Sequence, residues 1–189
     1  MILKAALLLA AVTLSSGATA QSRAAESFVQ SLLGASDLEQ MTAVIARDAD
    51  VAYLMASALG GRVDAMSEEE LRRFAEAFRV IVAQEALALA EDARGGRFVP
   101  DGESRTPDGV VVTGEMQAAG ASARNLDGAL PMEVLVRQVR GSRERVGDLR
   151  VGEGWASDHF ADVVDQIMAI AGEDVETMLK ALEGAVVER

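Results

Sequence analysis

The chain has 189 residues, half of them hydrophobic, with 30 acidic against 18 basic side chains, a formal net charge of −12 and no cysteine. This deficit of Lys and Arg argues against a nucleic-acid partner, whose phosphates must be met by cations, and against lasting electrostatic attachment to an anionic membrane surface. Without cysteine there is no disulfide, no thiol nucleophile and no Cys-ligated zinc.

The first twenty residues read as a cleavable secretory signal. Lys4 supplies the positive start, Ala5 to Leu14 an apolar stretch too short for a membrane span, and Ala18-Thr19-Ala20 a small-residue cleavage site. Cleavage before Gln21 would leave residues 21–189 as a single domain, large enough to bury a core. Gln21 to Leu33 predicts a first helix with Phe28, Val29, Leu32 and Leu33 inward and Gly34 at its stop. Ser36-Asp37-Leu38-Glu39 reads as a capping box opening a second helix, and a short third helix is expected from Asp50 to Leu59, ended by Gly60-Gly61.

Met66 to Asp92 carries the strongest signal in the chain. Ser67 and Glu70 form a capping-box pair, and Glu68, Glu69 and Glu70 place negative charge at the positive end of a helix dipole. Leu71, Phe74, Phe78, Ile81, Val82 and Leu89 follow at helical spacing on one face. Glu85 falls on that same stripe. Either the stripe rotates and Glu85 reaches solvent, or it is a polar group at the mouth of a cavity.

After Gly95-Gly96 the pattern turns to strands. Phe98-Val99 suggests a short one before a Pro100-Asp101-Gly102 turn, and Pro107-Asp108-Gly109 is a second turn leading into a β-rich run from Val110 to Met116. Small residues from Ala118 to Gly128 read as a loop. Met132 to Arg140 puts Met132, Val134 and Val136 on one face and Glu133 and Arg137 on the other, and Gly141-Ser142 suits a hairpin turn. In the partner strand, Arg145 to Val151, Leu149 and Val151 are expected inward and Asp148 and Arg150 outward, with Gly152 to Gly154 ending the sheet. Ser157 or Asp158 should cap a helix bearing Phe160, Val163, Val164, Ile167 and Met168, closed near Gly172. A last amphipathic helix runs on from Glu173. Segregated helices and strands of this kind predict an α+β fold: N-terminal helices, a curved antiparallel sheet of three or four strands, and C-terminal helices.

Chemistry is sparse. His159 is the sole histidine and has no second His or Cys to share a metal. No carboxylate pair has glycosidase-like spacing, no G-x-S-x-G turn occurs, and Gly152-Glu153-Gly154 lacks the residues of a phosphate loop. The expectation is a protein that is not an enzyme and uses no cofactor or metal. Its many Ala, Val, Leu and Met residues suit an ordinary core or the wall of an apolar cavity equally well.

Two stretches carry a family resemblance. Ala58-Leu59-Gly60, Met66 to Leu71 and Phe74-Ala75-Glu76-Ala77-Phe78 form one; Val146 to Gly154, with Phe160 and the run from Gly172 to Leu182, forms the other. Together they resemble the MlaC-like, or toluene-tolerance, family of exported phospholipid-binding proteins. Departures are the missing Tyr-Arg pair between Gly154 and Phe160, and Glu85 where the family tends to carry Tyr. The resemblance implies a periplasmic carrier that exchanges phospholipid between an inner-membrane ABC transporter complex and an outer-membrane lipoprotein complex, touching membranes only transiently. It further implies a cavity between helices and sheet, for which Phe74, Phe78, Ile81, Val134, Val136, Trp155, Phe160 and Val164 are the candidate lining. Two other readings stay open: the same scaffold holding another apolar ligand such as a hopanoid or quinone, or an interaction module with no ligand.

Overall fold

The computed structural model describes residues 19–117, 130–139, 141 and 143–187. The leader reading falls almost wholly outside them, as does the loop from Ala118 to Gly128. The element order is α1 (Ala20–Gly34), α2 (Leu38–Asp48), α3 (Val51–Leu59), a 3-10 turn over Gly60–Ala65, α4 (Glu68–Asp92), β1 (Arg97–Thr106), β2 (Gly109–Gln117), β3 (Leu130–Val139), β4 (Arg143–Val151), β5 (Gly154–Trp155), α5 (Ala156–Ala171) and α6 (Val175–Val187). The expected α+β architecture is therefore the one found.

Local chemistry explains the helix starts. At α4 the Ser67 hydroxyl accepts from the Glu70 N–H while Glu70 Oε2 accepts from the Ser67 N–H at 2.7 Å, closing the predicted capping box. At α2 the box is shifted by one residue: Asp37, not Ser36, accepts from the Gln40 N–H at 2.8 Å, and the Gln40 side chain reaches back to the Ser36 N–H. An aspartate binds an orphan helix N–H more strongly than a hydroxyl because its acceptor is charged. Gly172 ends α5 in the left-handed conformation, at φ 66°, which costs a Cβ-free residue nothing.

All five strands form one antiparallel meander in sequence order. Pro107-Asp108 is the loop of the β1–β2 hairpin, with Thr106 facing Gly109. Pro100-Asp101-Gly102 is not a turn; β1 runs through it, and the register slips between Pro100 and Gly102. A proline removes one ladder donor, and on an edge strand next to a bulge that loss is tolerated. A second slip lies between Leu135 and Val136 on β3. Gly152 to Gly154 likewise does not end the sheet, because β5 folds back to pair Trp155 with Arg150.

On the inner face, Val112, Val134 and Leu149 are in register across three strands, with Gly114, Met132 and Val151 beside them. Gly114 is bare because a Cβ there would collide with the Val99 carbonyl oxygen and lie 2.7 Å from Cε2 of Phe98. Helix α1 lies across β1 to β4, while α4 packs chiefly on α2 and α6 with α1 and α3 at its flanks. Arg73 locks α4 to α6, donating to Glu176 at 2.6 Å and to Glu183 at 2.8 Å. Phe74 and Phe78 stack at 5.2 Å, and the Phe160 ring meets Phe78 edge-on at 5.3 Å, joining α5 to α4.

Phe78 is 2% exposed and central to that aromatic cluster. Phe78→Ala is expected to cost about 3–5 kcal/mol, against about 1 kcal/mol for Ser67→Ala at the exposed cap. Urea denaturation of the two variants would measure both; equal losses would contradict this account of α4.

Candidate functional site: an apolar cavity in two lobes

Between α4 and the β4 side of the sheet the interior is hollow. The larger lobe, about 640 Å³, is walled by Phe28 and Leu32 of α1, Ile45 and Ala49 at the end of α2, Leu54 of α3, Val82, Glu85, Ala86 and Leu89 of α4, and Val146, Leu149 and Val151 of β4. Trp155, Ala156 and Phe160 close it at the start of α5. A second lobe, about 540 Å³, lies toward the end of α4, against Val29, Leu33, Ala90, Met116, Leu130 and Met132. The lobes adjoin, with Leu32, Leu89, Leu149 and Val151 in the walls of both. Each has the size of a small-molecule pocket, and the lining is mostly aliphatic. Leu89 is 65% exposed and Val151 44% exposed, so the shared wall opens to water.

Sequence periodicity explains the geometry. On α4 the inward stripe continues past Phe78 through Val82, Glu85, Ala86 and Leu89, one turn at a time. In its first half the stripe is closed by the packed rings of Phe74, Phe78 and Phe160; in its second half it lines open space. On β4, Leu149 and Val151 point inward as alternation requires. They are only partly covered because the space they face is the cavity.

Asp148 departs from its expected position. Alternation places it opposite Leu149, but it is 5% exposed instead of solvated. Its Oδ1 accepts from the backbone N–H groups of Leu149 at 2.8 Å and Ser157 at 3.1 Å, and its Oδ2 from the Ser157 hydroxyl. Trp155, the N-cap residue of α5, offers no side-chain acceptor. Asp148 supplies the cap from another element, in place of the local cap expected from Ser157 or Asp158. Burial raises its pKa above the ordinary carboxylate value, and repulsion from Asp158 adds to this; the hydrogen bonds from Ser157 and Leu149 oppose it.

Of the residues singled out from the sequence, Trp155 and Phe160 line the larger lobe. Phe74, Phe78, Val134, Val136 and Val164 are packed in the core behind it, each nearly fully buried, and Ile81 is partly buried against them. Glu85 is half-buried in the cavity wall, and Asp158, His159 and Asp162 edge the same lobe. Glu85 stands at the cavity-mouth position that is one of its two sequence readings, while the wall residues of α1, Leu54, Val82 and Leu89 read from the sequence only as inward-facing. Their one visible signal is the loss of aromatic residues from the α4 stripe after Phe78, together with a carboxylate at position 85. Among the described residues no group of three or more His, Asp or Glu is placed to hold a metal, and no helix is long and apolar enough to cross a membrane.

No protein-family model and no curated protein matches the chain. Among solved structures, a phospholipid-binding protein from Ralstonia solanacearum, determined in complex with a phospholipid, matches 89% of this chain and 97% of its own with a TM-score of 0.68 and 15% identity. At that identity the match establishes a common fold.

Asp148 gives a pH signature with a definite sign. A carboxyl group whose folded pKa lies above its unfolded one favours the folded state at low pH, and that contribution is lost as pH rises through the folded value. The stability of the unsubstituted protein minus that of Asp148→Asn should therefore fall as pH rises from the ordinary carboxylate range through the raised folded value. The lowered carboxylates, such as Glu176 and Glu183 beside Arg73, act in the opposite direction but cancel in the difference. Paired urea titrations read it; a difference rising with pH would contradict the burial of Asp148.

Proposed function

We propose that the protein is a phospholipid-binding carrier and not an enzyme: exported to the periplasm, it takes up phospholipid and passes it between an inner-membrane ABC transporter complex and an outer-membrane lipoprotein complex, which sustains outer-membrane lipid asymmetry. The observation that carries this reading is the open, aliphatic, two-lobed cavity on a fold shared with a protein solved in complex with a phospholipid. Two adjoining lobes suit two acyl chains better than one compact ligand.

The energetics fit such a cargo. Each methylene moved from water to the cavity is worth about 0.8 kcal/mol, so a dozen of them supply roughly 10 kcal/mol. Ordering and association costs reduce this to an affinity from which cargo can be released. A net charge of −12 opposes adhesion to anionic bilayers and keeps each membrane contact brief.

Protein purified from a bacterial host and extracted with organic solvent should yield close to one diacyl phospholipid per chain by mass spectrometry. Ala86→Trp, which fills the larger lobe from the α4 wall, should lower that load at least several-fold while leaving the circular dichroism spectrum unchanged. A hopanoid or quinone in the extract would reassign the cargo, and a lipid-free extract would support an interaction module instead.

A further inference from the structure

We infer that Glu85 makes the cavity select lipids whose head group carries an amine and disfavour lipids of net negative charge. The inference rests on the phospholipid reading above and adds a head-group class to it. Among the described residues no Lys or Arg lines either lobe, so nothing there offers a phosphate a cationic partner. Glu85 is half-buried in an aliphatic wall, one turn from Val82 and Leu89. Among the described residues it has no hydrogen bond or ion pair.

The other carboxylates on this lobe are in a different position. Asp148 already accepts three hydrogen bonds, from Leu149 and Ser157, which hold its carboxylate to the start of α5. Asp158 and Asp162 are exposed on α5, where water and salt screen them. Glu85 is the one whose charge acts across a partly apolar space, in which charge interactions are several times stronger than in bulk water. An ammonium brought in by a ligand would give this carboxylate a partner that it lacks among the described residues. A net anionic head would meet like charge with no compensating cation, and selection by repulsion needs no fitted pocket.

The test is loading from vesicles of equimolar phosphatidylethanolamine and phosphatidylglycerol with matched acyl chains. After incubation the protein is re-isolated and its lipid quantified by mass spectrometry. The unsubstituted protein should enrich the ethanolamine lipid about tenfold. Glu85→Gln, close in shape and partly exposed, should lose most of that preference, read as the ratio of the two bound lipids, and Glu85→Lys should reverse it. Equal loading of the two lipids by the unsubstituted protein, or a preference that survives in Glu85→Gln, would overturn the role of Glu85 and leave the carrier reading intact. Protein that loads neither lipid, with its fold verified by thermal melting, would overturn the carrier reading and this inference with it.

Discussion

The hollow depends on how the first turn of α5 is held. Its backbone N–H and the Ser157 hydroxyl are tied to Asp148 of β4, and β5 pairs directly before it with the same strand. Four residues on from Ala156, Phe160 is pinned by its ring to Phe78 of α4. One helical turn thus spans from the sheet to the long helix. Because both ends are fixed by specific contacts, one polar and one aromatic, α4 and β4 cannot slide together to bury Leu89 and Val151. Non-directional apolar burial alone would favour that collapse. Directional bonds at the two ends prevent it.

Much of the fold is legible in the chain because its signals are local. The capping box at Ser67 and Glu70, the Pro107-Asp108 hairpin, the glycine after α5 and the alternation on β3 each depend on residues within one turn or one hairpin. The misread elements depend on distant partners. Pro100-Asp101-Gly102 has turn chemistry, yet β2 offers a ladder along its whole length, and the segment becomes a bulged strand. The cap of α2 is a local exception: Asp37 displaces Ser36 because Gln40, three residues on, also bonds its carboxylate. Asp148 looks like a solvated strand residue until α5, nine positions later, folds over it.

The site was harder to read for a different reason. Periodicity says which side chains face inward, and it is right for Phe74, Phe78, Val134 and Val136. It carries no information on whether the inside is filled at a given level. That depends on whether a ring or a methyl group from another element meets the stripe there. At Phe78 the ring of Phe160 does so; Val82 and Ala86 line the open lobe instead. Trp155 and Phe160, wall candidates through the family resemblance, line the larger lobe at the start of α5.

A buried carboxylate would ordinarily count against the stability of a small domain, since its charge loses water and its pKa is pushed up. Here that expense has a structural return. An apolar residue at position 148 could pack on α5, but it could not hold the helix start at a fixed distance and direction from β4. Hydrogen bonds from the N–H and the hydroxyl of Ser157 set that geometry within a few tenths of an ångström, where dispersion contacts would allow sliding. A solid core needs no such spacer, because close packing fixes its own distances. A cavity wall has empty space in front of it, so its spacing must come from bonds at the edge, and the polar cluster of Asp148 and Ser157 lies at that edge.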